Sequence, residues 1–339
     1  LSWYNSRMEK IVIQLEAWYL KNKRDLPFRK NRDPYSVWVS EIMAQQTRIE
    51  TMLPYFERWM AKWPTIADLA LADPQDVLKM WEGLGYYNRA RNLHKAAIYL
   101  NENNEGVFYN NYEEILTLPG IGPYTAAAIA SIVYDEKVPA IDGNVCRVVA
   151  RLDALAEEIS SSTAQKHIET RMKTWIIEST PHNFTQAMME LGALVCTPQS
   201  PDCAHCPLQE SCVAFRKGTT SDYPIKKTKA PVPIEIYDCF ILKNSEGKIA
   251  LTQQNDDNLM NGYYRFPVKN QLELTMISDV LKIGTQKHVF SHKVWITEYY
   301  VGRADFQDDS ILWVNESELN ELPMISAHRK FYLKQGPIQ

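Results

Sequence analysis

Four of the six cysteines fall within seventeen residues, as Cys196, Cys203, Cys206 and Cys212, spaced C-x6-C-x2-C-x5-C. No other feature limits the fold as tightly, because such a run can wrap a single loop around a single centre. A secreted disulfide framework spreads its cysteines over the chain, and this one does not. Zinc or an iron–sulfur cluster remains. Structural zinc sites more often pair two C-x2-C knuckles and only one is present, so the spacing leans toward a [4Fe–4S] cluster. Cys146 and Cys239 lie inside a helical and a strand pattern and read as small buried apolar residues.

The loop closes a long helical region. Apolar residues recur at three and four in Ile11, Leu15, Trp18 and in Met52, Tyr55, Phe56, Trp59. Thr47 with Glu50 reads as a capping box, ending one helix near Gln46 and starting another at once. Residues 115–134 carry no charge and are nominally long enough to cross a bilayer. Pro119, Gly120, Gly122 and Pro123 break that run and leave a short buried helix over 125–134. The N-terminus is not a secretory signal, so the reading is a soluble intracellular protein without a membrane part. Residues 216–231 are rich in Lys, Thr, Ser, Asp and Pro and read as a linker. Beyond them, 234–242, 248–253, 294–301 and 311–314 have strand character, and 317–322 and 327–333 look helical. The expectation is a mainly α domain over 1–215, with the cysteine loop at 196–212, and an α+β domain over 232–339.

Charge sets a limit on function. With 37 Lys plus Arg against 41 Asp plus Glu, the net charge is −4, which argues against a protein that coats polyanions by bulk attraction. Residues 1–215 carry 21 basic and 26 acidic side chains, and 216–339 carry 16 and 15, so neither part is a basic domain.

Phosphate can nonetheless be held without cationic side chains. Leu118-Pro119-Gly120-Ile121-Gly122-Pro123-Tyr124 joins two helical segments, and its alternate glycines allow a tight turn that exposes N–H groups at a helix N-terminus. An isolated G-x-G would be no more than a helix–helix turn. Here Val138-Pro139-Ala140-Ile141-Asp142-Gly143-Asn144-Val145 follows, with Asp142 placed to cap the next helix, where backbone N–H groups and the dipole hold a carboxylate anionic. Taken alone, Asp142 is a structural cap. Glu41 has the opposite setting, inside the apolar run Val37-Trp38-Val39-Ser40-Glu41-Ile42-Met43-Ala44. On a solvent face it means little; facing a cleft, burial raises its pKa and keeps it protonated near neutrality. One raised and one depressed carboxyl can together donate a proton and stabilise a cation.

Glu41-to-Thr47, the LPGIGPYTA hairpin, the IDGNV segment and the four-cysteine loop stand here in the order found in helix–hairpin–helix DNA glycosylases similar to endonuclease III. Over its whole length the chain resembles the MutY-type adenine glycosylases of that superfamily. The resemblance implies a two-lobed glycosylase domain with a [4Fe–4S] cluster on Cys196, Cys203, Cys206 and Cys212, followed by a Nudix-like domain that reads 8-oxoguanine through Phe290, Ser291 and His292. That domain lacks the G-x5-E…R-E-x2-E-E pattern of an active Nudix hydrolase, so it should bind and not hydrolyse. Tyr124 stands where bifunctional relatives carry a catalytic Lys, which implies a monofunctional enzyme.

The implied activity is removal of adenine opposite 8-oxoguanine, and more weakly opposite guanine, by a cytoplasmic, nucleoid-associated monomer acting on duplex DNA. Glu41 would protonate adenine N7, Asp142 would stabilise the oxocarbenium-like sugar, Tyr124 would shield it and Asn144 would hold Asp142 or the water. Arg24, Leu26, Arg29 and Gln186 match positions lining the adenine pocket. Gln46 and Tyr86 would fill or wedge the duplex, with Thr47, Gly120 and Gly122 on the DNA. Phe28 and Ala44 depart from the family's usual Trp and Leu and put affinity in question more than chemistry. The rivals are an endonuclease III-like glycosylase/lyase and a non-catalytic iron–sulfur damage-binding protein. Together with the resemblance, the acidic total implies a modest non-specific grip, with specificity left to the flipped adenine and the 8-oxoguanine reader.

Overall fold

The computed structural model describes residues 2–227, 231–254, 260–290 and 293–335. Helices α1 (Ser2–Asn22), α2 (Pro34–Ala44), α3 (Ile49–Lys62), α4 (Ile66–Ala70), α5 (Pro74–Trp81), α6 (Asn88–Asn103), α7 (Tyr112–Leu116), α8 (Pro123–Tyr134), α9 (Gly143–Asp153), α10 (Ser162–Ile177), α11 (Pro181–Leu194) and α12 (Val213–Arg216) come first. Strands β1 (Ile234–Lys243), β2 (Ile249–Thr252), β3 (Ser278–Val289), β4 (Val294–Arg303) and β5 (Ile311–Val314) follow, with a last helix, α13 (Ser326–Gln335). Among the described residues, no helix is long and apolar enough to cross a membrane. By contacts the chain divides into two compact units: Leu1–Gln46, Thr65–Ala67 and Ala96–Lys229 form one, and Thr47–Pro64, Asp68–Lys95 and Ala230–Gln339 the other.

In the first unit, α1, α9, α10 and α11 bury a core that includes Leu15, Val149, Trp175, Phe184 and Leu191. α2 starts where Asp33 accepts the Ser36 N–H at 2.8 Å with Pro34 at the first helical position, and nearly all of its other residues are buried. α8 likewise begins with Pro123 after Gly122, and its residues from Thr125 to Val133 are buried. Arg151 of α9, 2% exposed, donates to the carbonyls of Thr197, Pro198, Thr220 and Tyr223. One guanidinium thus ties both the cysteine loop and the following segment to α9. Ile159 N–H, donating to Ile225 at 2.8 Å, extends this anchoring into residues that composition alone marks as a spacer.

The junction after α2 corrects the capping-box expectation. α2 stops at Ala44, Gln46 takes a left-handed turn at φ +56°, and α3 starts at Ile49 with Arg48 at its N-cap. The turn displaces the helix start downstream, and the Thr47 hydroxyl accepts from Arg89 at 3.4 Å.

The second unit holds a five-stranded sheet ordered β3-β4-β1-β2-β5, with β1 and β4 parallel (Ile234 beside Val294) and the other pairs antiparallel. β3 is absent from the expected strands. It is an edge strand, exposed along most of its length, and its Ser, Asp, Lys and Gln residues show no apolar alternation. Gly284 within it is needed for close approach: a Cβ there would lie 3.0 Å from Phe331, which stacks on Tyr299 at 3.7 Å. The expected helix at 317–322 is a single 3-10 turn, Glu318–Asn320. In the same unit Tyr263 donates to the Leu78 carbonyl at 2.7 Å and packs its ring 4.1 Å from that of Tyr87.

Candidate active site

α2, α8 and α9 of the first unit bring together Glu41, Tyr124, Asp142 and Asn144. Glu41 is crowded by protein atoms while keeping a small accessible surface. Loss of hydration lifts its carboxyl from 4.5 to about 7; the Tyr124 hydrogen bond works against that rise and the charge of Asp142 adds to it. Tyr124 Oη donates to Glu41 Oε2 at 2.9 Å and lies 3.8 Å from Met189 Sδ. Burial, reinforced by Glu41 and Asp142, pushes the phenol well above its ordinary value, so Tyr124 stays a donor.

Asp142 is the N-cap of α9. Its Oδ1 accepts Val145 N–H at 2.7 Å, and its Oδ2 accepts Asn144 Nδ2 at 2.7 Å. Asn144 is fixed in turn by Arg147, whose Nη2 donates to Asn144 Oδ1 and to the Gly192 carbonyl, each at 2.7 Å, while its Nε donates to the Cys196 carbonyl at 2.7 Å. Gly192 must be small, because a Cβ there would meet Asn144 Cβ at 2.5 Å.

Arg24 and Arg29 meet on Glu190. Arg24 donates its backbone N–H, Nε and Nη2 at 3.0, 2.9 and 2.8 Å, and Arg29 adds Nη2 at 2.8 Å. Burial alone would raise the Glu190 carboxyl, but the two guanidinium groups outweigh it and hold the group at about 2. Leu26, 4% exposed, precedes the 3-10 turn Pro27–Arg29 that carries Phe28. Gln186 is buried one turn before Glu190 on α11. Beside Ala44, Gln45 Nε2 donates to Thr125 Oγ1 at 3.1 Å.

The hairpin between α7 and α8 turns at Gly120, whose φ of +76° suits glycine. Gly122 has an ordinary φ, but a Cβ added to it would meet nothing within 4 Å, so the α8 N-terminus is open there to an approaching group. In the second unit Tyr86, 44% exposed, follows Gly83 and Gly85 and is itself left-handed at φ +49°. Arg89 donates to the carbonyls of Leu84 and Gly85 at 3.2 and 3.0 Å and bolts that loop in place. Gln46 and Tyr86 thus share the left-handed conformation, which Glu105, Asp135, Ala154 and Asp279 also adopt, Asp135 and Ala154 as helix C-caps. Phe290 packs edge-on against His288 and Trp295 at 4.4 and 4.6 Å, whereas Ser291 and His292 lie outside the described residues.

Cys196, Cys203, Cys206 and Cys212 line one cavity, together with Val148, Leu191 and other apolar residues. Burial raises the thiols of Cys203, Cys206 and Cys212, that of Cys206 to about 12, and Arg151 Nη1 reaches Cys196 Sγ at 3.4 Å. Among the described residues no three His, Cys, Asp or Glu side chains are arranged to hold a single metal ion. Four thiols around a shared space, beside a buried cation, fit a thiolate-ligated anionic cluster.

Sequence reasoning missed Glu190, Arg147, Arg89 and also His182, whose ring lies between the Ile132 carbonyl and the Gln186 amide. The signal was present for the first two: Glu190 lies in an apolar helix much as Glu41 does, and Arg147 interrupts the apolar run of α9.

The family model for HhH-GPD superfamily base excision DNA repair proteins matches residues 39–175, and that for the NUDIX domain matches 238–334. An adenine DNA glycosylase of Arabidopsis thaliana is 34% identical, over 98% of this chain and 58% of its own length. One of Rattus norvegicus is 44% identical over 60% of this chain and 41% of its own. One of Buchnera aphidicola (from Acyrthosiphon pisum) is 36% identical over 81% of each chain. The chain therefore spans about half the length of the plant and rat relatives and most of the bacterial one. Among solved structures, a thermostable thymine-DNA glycosylase superposes with a TM-score of 0.58 at 24% identity, covering 63% of this chain and 99% of that one. A non-covalent endonuclease III–DNA complex gives 0.52 at 21% identity, covering 61% and 94%; both likenesses concern the fold.

Proposed function

Because this chain belongs to the adenine DNA glycosylase family, we propose that it acts alone on duplex DNA, flips out adenine mispaired with 8-oxoguanine or, less efficiently, guanine, and hydrolyses its glycosidic bond. The observation that carries the reading is the pair of unlike carboxyls: Glu41 lifted to about 7 beneath the Tyr124 hydroxyl, and Asp142 capped by Val145 N–H and Asn144. A base cannot be reached in the stack, so it must leave it. Glu41 in its acid form protonates adenine N7, and the C1′–N9 bond breaks with its electron pair leaving on the base. Asp142 faces the resulting oxocarbenium ion as an anion. Water adds at C1′ and gives its proton to the Glu41 carboxylate, which restores the acid. Tyr124, a permanent donor to Glu41 Oε2, keeps that carboxyl oriented.

Arg24, Leu26, Arg29 and Gln186 would line the base pocket, Gln46, Thr47, Tyr86, Gly120 and Gly122 would engage DNA, and Phe290, Ser291 and His292 would read 8-oxoguanine. A [4Fe–4S] cluster held by Cys196, Cys203, Cys206 and Cys212 would supply iron–thiolate bonds that brace the 196–212 loop. Against a lyase, the hairpin offers a phenol at position 124 and no amine nucleophile.

The test is single-turnover cleavage of duplexes carrying adenine opposite 8-oxoguanine and opposite guanine, with wild type and Glu41→Gln. Release by the wild type, fastest opposite 8-oxoguanine, and loss in the variant with DNA binding retained are expected. Undiminished release by the variant, or borohydride trapping of a Schiff base as the normal route, would overturn the mechanism.

A further inference from the structure

His182, Gln186 and Glu190 are spaced four apart on α11 and share one of its faces. Two of the neighbouring functions are already fixed there, since Glu190 gathers Arg24 and Arg29 and Met189 meets the Tyr124 phenol. Gln186, between His182 and Glu190, is 4% exposed. Its amide nitrogen points backward, donating to the His182 carbonyl at 3.1 Å and to His182 Nε2 at 3.2 Å.

The direction of the second bond follows from the ring's other contact. His182 Nδ1 lies 2.6 Å from the Ile132 carbonyl oxygen, which can only accept. The ring proton therefore sits on Nδ1, and Nε2 presents a lone pair to the Gln186 amide. Burial holds His182 below its ordinary 6.5; Arg32 and Lys23 act in the same direction, and the Ile132 carbonyl and Asp135 act against it. The ring is thus neutral at pH 7. Both amide protons of Gln186 are engaged by the preceding turn. Its Oε1 takes no partner among the described residues, and it is not sealed from solvent.

We propose that His182 is a positioning residue that locks the Gln186 amide with its oxygen outward, so that the base pocket selects a purine bearing an exocyclic amino group over one bearing a keto oxygen. The inference rests on the reading above that Gln186 lines that pocket. Adenine presents an N–H donor at its 6-position, where hypoxanthine and guanine present an acceptor oxygen. A keto purine facing Oε1 sets lone pair against lone pair and leaves two desolvated acceptors unpaired, which discriminates more strongly than a lost methylene does. Without the lone pair of His182 Nε2, only the His182 carbonyl still holds the amide, so turning its NH2 outward to accept the keto purine costs one hydrogen bond less.

The experiment compares single-turnover excision of adenine and of hypoxanthine opposite 8-oxoguanine by wild type, His182→Leu, Gln186→Leu and the double variant. His182→Phe, which keeps an aromatic ring without Nε2, replaces the leucine variant if that one does not fold. The adenine-to-hypoxanthine rate ratio is expected to fall about tenfold in the His182 variants, the share of one hydrogen bond. The same His182 change should have no further effect on the ratio once Gln186 is Leu. Equal slowing on both bases, with the ratio intact, would overturn the proposal and leave His182 a packing residue. A wild type that releases no adenine would overturn the functional reading itself, which distinguishes the two failures.

Discussion

Replacing Glu41 with Gln should stabilise the protein while silencing it, and the gain should depend on pH in a defined way. Glu41 moves from 4.5 to about 7 on folding because its carboxylate is desolvated. Its folded-state value is raised, so its contribution to stability is fully present below pH 4.5 and is lost as pH rises toward 7. Over that window the unfolded chain has released a proton that the folded chain retains. At about 1.4 kcal/mol per pH unit, wild type loses roughly 3 kcal/mol between pH 4.5 and 7 and nothing more above it. Glutamine has a similar shape and no charge to desolvate, so the variant escapes the loss. Denaturant unfolding of both proteins at pH 5, 6, 7 and 8 gives the comparison, followed through the transition of the unit containing α2. The difference should be under 1 kcal/mol at pH 5 and should level off near 3 kcal/mol above pH 7. A difference that is constant across this range, or that grows as pH falls, would refute the desolvation argument and with it the supply of an acid at neutral pH.

Three other outcomes follow from the same geometry. Glu190→Gln removes a carboxylate held at about 2; it should cost roughly 3 kcal/mol at pH 7, a difference that disappears as pH falls from 4.5 toward 2, measured by urea unfolding. Gly192→Ala forces a methyl against Asn144 Cβ and should slow excision about a hundredfold with duplex affinity retained, read by single-turnover rates beside a binding titration. Cys206→Ser should lose bound iron and the visible absorbance of a cluster and melt lower; unchanged iron content would count against the cluster.

The parts of the molecule legible in its sequence are those whose chemistry is local. Gly120, Gly122 and Pro123 announce the turn before α8, Asp142 is visible as a cap, and Glu41 stands out in an apolar helix because polarity there demands a reason. The rest needs tertiary contacts. Arg147 matters through carbonyls at 192 and 196, and Glu190 through arginines at 24 and 29, separations that no periodicity reveals. β3 escapes because an exposed edge strand carries almost no hydrophobic pattern, and the start of α3 shifts because the turn at Gln46 overrides a plausible cap.

α11 acts as a ruler for the site. Its residues 182, 186, 189, 190 and 192 meet, in order, the Ile132 carbonyl, the His182 ring, the Tyr124 phenol, two arginines and Asn144. Helical geometry advances about 100° and 1.5 Å per residue, so inserting or deleting one residue inside α11 would throw the contacts on one side of the change out of register with those on the other. Change along this helix is therefore confined to substitution. A substitution on this helix can exchange one contact without disturbing the spacing of the others.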